Sequence, residues 1–281
     1  VAPVLVGTAA AVGAGGSGSG LSGIIWWRFA AAMAVALFVQ VGTNFANDYS
    51  DGTRGTDDPG ERLGPPRLVG NGLATPTAVR RATLICFTLT LLAGTPLVLF
   101  VDWRLALVGL AAVAAGWFYT GGPRPYGYAG FGEVFVFVFF GLVATLGSGY
   151  VQTLELTSVG WVAGAAMGAL ATALLVVNNL RDIPGDPSAG KATLAVRIGD
   201  RSTRVLYVVL LVMAVALLPV MVALGSSPVV GLGFIAVVVG RRAVVQVLSG
   251  AEGPALIAVL GDTGRTQLVY ALAVTVGLVI T

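Results

Sequence analysis

Two short stretches hold most of the side chains in this sequence that could do chemistry. NFANDYSD (44–51) presents Asn44, Asn47, Asp48 and Asp51, and NNLRDIPGD (178–186) presents Asn178, Asn179, Arg181, Asp182 and Asp186. Asn44 and Asp48 stand four apart, as do Asn178 and Asp182, and helical spacing of three and four puts Asn44, Asn47, Asp48 and Asp51 on one face. Pro184 and Pro187 resist continuation of a helix, so Asp186 is expected at a helix end or in a loop. Two carboxylate clusters facing each other would repel, and divalent cations between them relieve that repulsion. Mg²⁺ suits such a place, because it keeps several waters and shares its remaining coordination between one or two carboxylates and phosphate oxygens. Arg54, Arg67, Arg181 and Lys191 lie close to the clusters in sequence and supply the complementary charge. The pattern predicts a site for a magnesium-bound diphosphate. The sequence has no histidine, which excludes imidazole catalysis and histidine-ligated zinc or haem and leaves oxygen ligands for any metal.

A third stretch, YTGGPRPYGYAGFGEVFVFVFFG (119–141), combines three tyrosines and five phenylalanines with one carboxylate, Glu133. Aromatic faces stabilise a cation through their quadrupoles, and the glycine- and proline-rich loop could cover a substrate. Tyr119, Tyr126 and Glu133 are therefore candidate substrate-binding residues, whereas Phe137 and Phe140 read as packing or lipid-facing. Asn44, Asn47, Asn178 and Asn179 join the candidates, since amides near a membrane face need partners and mark sites. Arg80, Arg81, Arg241 and Arg242 read as topology determinants.

The elements that must position these residues are membrane helices. Of 281 residues, 56% are apolar and 10% charged, and mean hydropathy is +0.90; soluble domains carry roughly 25% charged residues. The 40 glycines suit closely packed membrane helices. Apolar runs predict an all-α polytopic bundle of about nine transmembrane helices, near 1–15, 25–47, 79–101, 103–120, 131–151, 159–180, 203–224, 228–247 and 266–281. Of the 16 Lys and Arg residues, all but Arg28 and Arg104 fall in or beside the loops 48–80, 121–130, 181–202 and 241–265, which the positive-inside rule places in the cytoplasm. The recurrence of the Asn/Asp motif at the ends of the second and sixth segments is consistent with duplicated halves, motif 1 at 44–57 and motif 2 at 178–194, within one membrane-embedded domain over 1–281. One cysteine, Cys86, excludes an internal disulfide, and a net charge of +3 is too small to argue for nucleic acid.

The pairing of NFANDYSDGTRGTD with NNLRDIPGDPSAGKATLAVRIG resembles the UbiA-type superfamily of membrane prenyltransferases, and YTGGPRP running into GFGEVFVFVFFG resembles its branch acting on 1,4-dihydroxy-2-naphthoate. That resemblance implies a helical bundle around a central cavity, with Mg²⁺ and a polyprenyl diphosphate held by the two motifs. Asp48, Asp51, Asp182 and Asp186 would be the metal ligands, with Lys191 beside them in catalysis. Asn44, Asn47, Asn178, Arg181 and Lys191 would orient the diphosphate, with Arg67 as a further contact; Arg54 and Asn179 join them as substrate-binding candidates from their place beside the motifs. The implied reaction attaches the prenyl group to dihydroxynaphthoate with decarboxylation, giving demethylmenaquinone, in a bacterial plasma membrane with the motif loops on the cytoplasmic face and lipid as the surrounding partner. Neither prenyl length nor oligomeric state is set by the sequence. The superfamily pattern N-D-x-x-D-x-x-x-D ends here on Gly55, with Asp57 two places later, so the roles of Asp57 and Asp58 stay open. Three other readings share these features. One is a UbiA-type enzyme with another aromatic acceptor. A CDP-alcohol phosphotransferase would match Asp48, Asp51 and Gly52 but not Gly55 and Thr56. A cation-coupled transporter would need its acids near mid-membrane.

Overall fold

The computed structural model describes residues 1–13, 16–56 and 66–280. Asp57, Asp58, Glu61 and Arg62 lie outside the described residues. Among the described residues the chain is all helical, with nine rods in succession: α1 (Ala2–Val12), α2 (Trp26–Thr53), α3 (Pro76–Phe100), α4 (Leu105–Phe118), α5 (Gly132–Thr153), α6 (Ser158–Asp182), α7 (Leu194–Ala223), α8 (Pro228–Leu248) and α9 (Ala255–Val279). Six of them (α2, α3, α5, α6, α7 and α8) are long and apolar enough to cross a membrane, while α1 and α4 are shorter apolar helices.

Local chemistry sets several ends. Thr75, Thr157 and Thr193 turn their hydroxyl oxygens onto the N–H groups of Ala78, Gly160 and Val196, which starts α3, α6 and α7. Leu154, at φ 63°, stops α5 in the left-handed region. Pro184 ends α6 as expected: the helix closes at Asp182, and Asp186 sits in the following turn with its N–H on the Asp182 carbonyl at 2.9 Å. The 28 residues of α2 span about 42 Å at 1.5 Å per residue, more than the ~30 Å hydrocarbon core of a bilayer. Counted from Trp26, its last two turns, with Asn47, Asp48 and Asp51, run past that thickness.

Two expected boundaries were wrong. α9 begins at Ala255, not near 266, and α7 at Leu194, not near 203. In α9 the charged run does not break the helix, because Asp262 pairs with Arg265 at 3.1 Å on its own flank and with Arg242 of α8 at 3.8 Å. In α7 a kink at Gly199 (φ 80°) joins a short amphipathic start to the apolar rod.

α2 packs on α3 and α4, while α6, α7, α8 and α9 form a second group, with α1 and α5 between the two. α6 is the most buried of the six long apolar helices, and small residues such as Gly164, Ala166, Gly168 and Ala173 let its neighbours close in. A Cβ on Gly141 of α5 would lie 2.2 Å from Gly168 Cα, so only glycine fits there. Met167, Leu170, Tyr207, Leu218, Met221 and Tyr270 fill the core of the second group. Two buried hydroxyls tie α7 to α9: Tyr207 meets Thr263 at 2.7 Å, and Tyr270 donates to the Ala214 carbonyl at 2.8 Å.

Candidate active site at the ends of α2 and α6

A cavity of about 670 Å³ opens between α1, α2, α4, α5, α6 and α9. Its deep part is apolar and lined by Ala36, Val39, Ala112, Phe139, Phe140, Ala171 and Leu174. Its mouth is polar, with Asn44, Asn47, Asp51, Arg67, Tyr128, Asn178, Asn179, Arg181, Asp182, Asp186 and Lys191. Along α2, the run from Asp51 down to Ala36 measures about 22 Å at the helical rise. The cavity thus joins a charged mouth to a long greasy interior.

At the mouth the two motifs meet. Asp51 accepts from the Tyr128 hydroxyl at 2.6 Å and from Lys191 Nζ at 3.1 Å, which bridges the end of α2 to the loop after α6. Arg181 forks onto Asp182, with Nε to Oδ1 at 2.7 Å and a terminal nitrogen to Oδ2 at 2.8 Å, and also donates to Asn178 Oδ1 at 2.9 Å. Asp186 accepts from the Thr193 hydroxyl at 3.0 Å. Burial, reinforced by the neighbouring Asp182 charge, raises the Asp186 carboxyl to about 6. Burial opposes the Lys191 charge, but Asp51 and Tyr128 outweigh it and hold the ammonium above its ordinary value. Burial and the Asp51 charge likewise raise the Tyr128 phenol. Carboxylates crowded closely enough to raise one of them are eased by a bound cation.

Beside the mouth, Tyr126 stacks on Phe135 with ring centroids 3.9 Å apart, Phe135 stacks on Phe139 at 6.1 Å, and Tyr119 meets Tyr126 edge-on at 5.5 Å. This ladder lines the passage from mouth to interior. Phe137–Val143 winds as a π-helix within α5, a form that recurs at functional sites.

Of the predicted residues, Asn44, Asn47, Asp51, Arg67, Tyr119, Tyr126, Asn178, Asn179, Arg181, Asp182, Asp186 and Lys191 line the cavity. Three stand elsewhere. Asp48 was expected to face the metal, but its carboxylate turns away and accepts the backbone N–H groups of Leu68 and Val69, each at 2.9 Å. Arg54 donates to the carbonyls of Thr120 and Gly122 and lies over the Tyr128 ring, so it fastens the aromatic loop. Glu133 is buried behind the wall and accepts from Asn179 Nδ2 at 2.9 Å. Sequence reasoning passed over Gln40, Thr120, Tyr128, Thr193 and Gln267 as site residues, all of which line the cavity. Gln40 was within reach, since it precedes Asn44 by one helical turn on the same face; nothing in the sequence marks Gln267.

Among the described residues no three His, Cys, Asp or Glu side chains converge on one point. Asp51, Asp182 and Asp186 instead line one mouth from two elements. This all-oxygen set fits Mg²⁺, which takes one or two carboxylates and completes its shell from water and phosphate, better than an ion that needs a closed protein cage.

Fold and site together define a membrane protein whose cavity joins a charged mouth to an apolar interior. The chain belongs to the UbiA prenyltransferase family, which it matches over residues 1–255. It is similar to the 1,4-dihydroxy-2-naphthoate octaprenyltransferase of Mycobacterium tuberculosis, at 49% identity over 98% of this chain and 90% of the relative. The Escherichia coli protein of the same name is 38% identical over 64% of this chain and 63% of its own. The human UbiA prenyltransferase domain-containing protein 1 is 27% identical over 67% and 56%. A solved structure described as digeranylgeranylglyceryl phosphate synthase shares the fold, with a TM-score of 0.62 at 16% identity, covering 100% of this chain and 94% of that one. Family membership and the six long apolar helices make the chain an integral membrane protein.

Proposed function

We propose that the chain transfers a polyprenyl group from polyprenyl diphosphate to 1,4-dihydroxy-2-naphthoate with release of diphosphate and CO₂, giving demethylmenaquinol, the reduced form of demethylmenaquinone. The observation that carries this reading is that one and the same cavity has a mouth of carboxylates, amides and cations and an apolar, aromatic interior. The acceptor comes from the name of the relative at 49% identity over nearly the full chain. The whole of 1–281 is read as one membrane-embedded unit, with the mouth on the cytoplasmic side of a bacterial plasma membrane, where the Lys and Arg residues concentrate.

Asp51, Asp182 and Asp186 would hold Mg²⁺ against the diphosphate of the donor. When bound, the metal neutralises the charge that grows on the leaving diphosphate. Lys191 and Arg181 face the same mouth and stabilise that charge directly, while Asn44, Asn47 and Asn178 orient the phosphate oxygens. The allylic C–O bond breaks with its electron pair leaving on the diphosphate. The Tyr119, Tyr126, Phe135 and Phe139 rings flank the resulting cation and keep water from it. The electron-rich ring of the acceptor then forms the new C–C bond and loses its carboxylate as CO₂. The tail stays in the apolar cavity, which is why the enzyme sits in the membrane.

Competition among acceptors tests the reading. Purified protein with geranylgeranyl diphosphate should prenylate dihydroxynaphthoate and leave 4-hydroxybenzoate and homogentisate essentially untouched. Preferential use of either alternative would reassign the acceptor.

A further inference from the structure

We infer that Asp48 is a positioning residue that holds the 66–74 segment, and through it Arg67, at the cavity mouth, and that it is not one of the carboxylates facing the metal. The inference rests on the mouth being the diphosphate site. On α2, Asn47, Asp51 and Asn44 share an arc of about 60°, and Asp48 lies about 40° beyond Asn44 at 100° per residue. The first three line the cavity and Asp48 does not. Instead it is 6% exposed, with Oδ2 accepting the Leu68 N–H and Oδ1 the Val69 N–H, both at 2.9 Å. Gly52 continues the same side of the helix, and a Cβ there would stand 2.5 Å from Val69 Cβ. The segment is thus pressed directly onto α2.

The 66–74 segment is braced at both ends of this grip. Asn71 Oδ1 accepts the Arg67 N–H at 2.7 Å, the Asn71 N–H returns to the Arg67 carbonyl at 3.1 Å, and Ala74 N–H reaches the Leu68 carbonyl at 2.9 Å. Arg67, the residue immediately before the clamped pair, lines the cavity. Turning the Asp48 carboxylate to a metal would strip two backbone amides of their acceptor, and unpaired amides away from water are costly. A charge-assisted grip on two adjacent amides fixes the chain there more firmly than neutral bonds would. Asp51, one turn further on, has no such duty and faces the mouth.

Backbone hydrogen exchange of the full chain in lipid nanodiscs tests this on the wild type. The Leu68 and Val69 amides should stay protected when Mg²⁺ and geranylgeranyl diphosphate are added, and loss of that protection on metal binding would overturn the inference. Steady-state kinetics give a second readout. Asp48→Asn, which offers an NH₂ to one of the two amides, and Arg67→Ala should each raise the KM for geranylgeranyl diphosphate about tenfold. The double variant should match Arg67→Ala, with the Mg²⁺ concentration for half-maximal rate unchanged in Asp48→Asn. Multiplying effects, or a several-fold higher Mg²⁺ requirement in Asp48→Asn, would assign Asp48 to the metal instead. Wild-type protein that turned over no acceptor would defeat the proposed function alone, since the exchange experiment decides Asp48 without turnover.

Discussion

Asp182 shows how a single carboxylate can be both built in and available. Arg181 grips it in a two-point fork, and Asn178 adds a weaker donor at 3.4 Å, so its orientation is fixed by its own helix end. The Arg181 side chain is only 4% exposed, and removing its partner outright would strand a buried charge. Asparagine keeps an oxygen for Arg181 while deleting the negative charge that would hold the metal against the diphosphate. Asp182→Asn should therefore lower kcat by at least about 100-fold with helical content and membrane insertion unchanged. Near-normal turnover in a prenyl-transfer assay would remove Asp182 from the site. Chemistry-bearing residues are scarce in so apolar a chain, and that scarcity is why Asp51, Asp182, Asp186 and Lys191, which line the cavity, stand out in the sequence. The direction of Asp48 could not, because spacing assigns a helix face but not the segment that packs on it.

Among the elements, α2, α4, α5 and α6 form the walls that a prenyl tail would touch. Small side chains, Ala36 and Ala112 among them, leave the deep part of the cavity open. Ala36 lies four turns below Asp51, so a large side chain there obstructs the tail and spares the mouth. Ala36→Phe should lower turnover of long-chain donors about tenfold or more while leaving geranyl diphosphate nearly unaffected, as read from product chain lengths by mass spectrometry. Equal loss with every donor would mean the tail lies elsewhere. Helix number and order were legible because apolar runs and charged loops alternate. The start of α9 was not, because Asp262, Arg265 and Arg242 satisfy one another on a helix flank and mimic a loop in composition. The capping of α7 by Thr193 was legible in principle, but its second duty, donating to Asp186, depends on a turn shaped by two prolines.

For the molecule as a whole, the charge asymmetry of the loops predicts how it sits in the bilayer. In a Cys86→Ser background, Ser188→Cys reports the loop after α6, and Glu155→Cys the connection between α5 and α6. An impermeant thiol reagent added outside intact cells should label the second and not the first, and the reverse pattern would invert the orientation. Both motifs then meet at one mouth on the cytoplasmic side, where a soluble acceptor and a membrane-borne donor can both arrive. The most direct measurement is turnover of geranylgeranyl diphosphate and 1,4-dihydroxy-2-naphthoate by the protein in nanodiscs, with and without a chelator, followed by mass spectrometry. The expected result is a prenylated naphthoquinol lacking the carboxylate, lost with the chelator and restored by excess Mg²⁺. No such product under any metal condition, or full turnover in the chelator, would contradict the account.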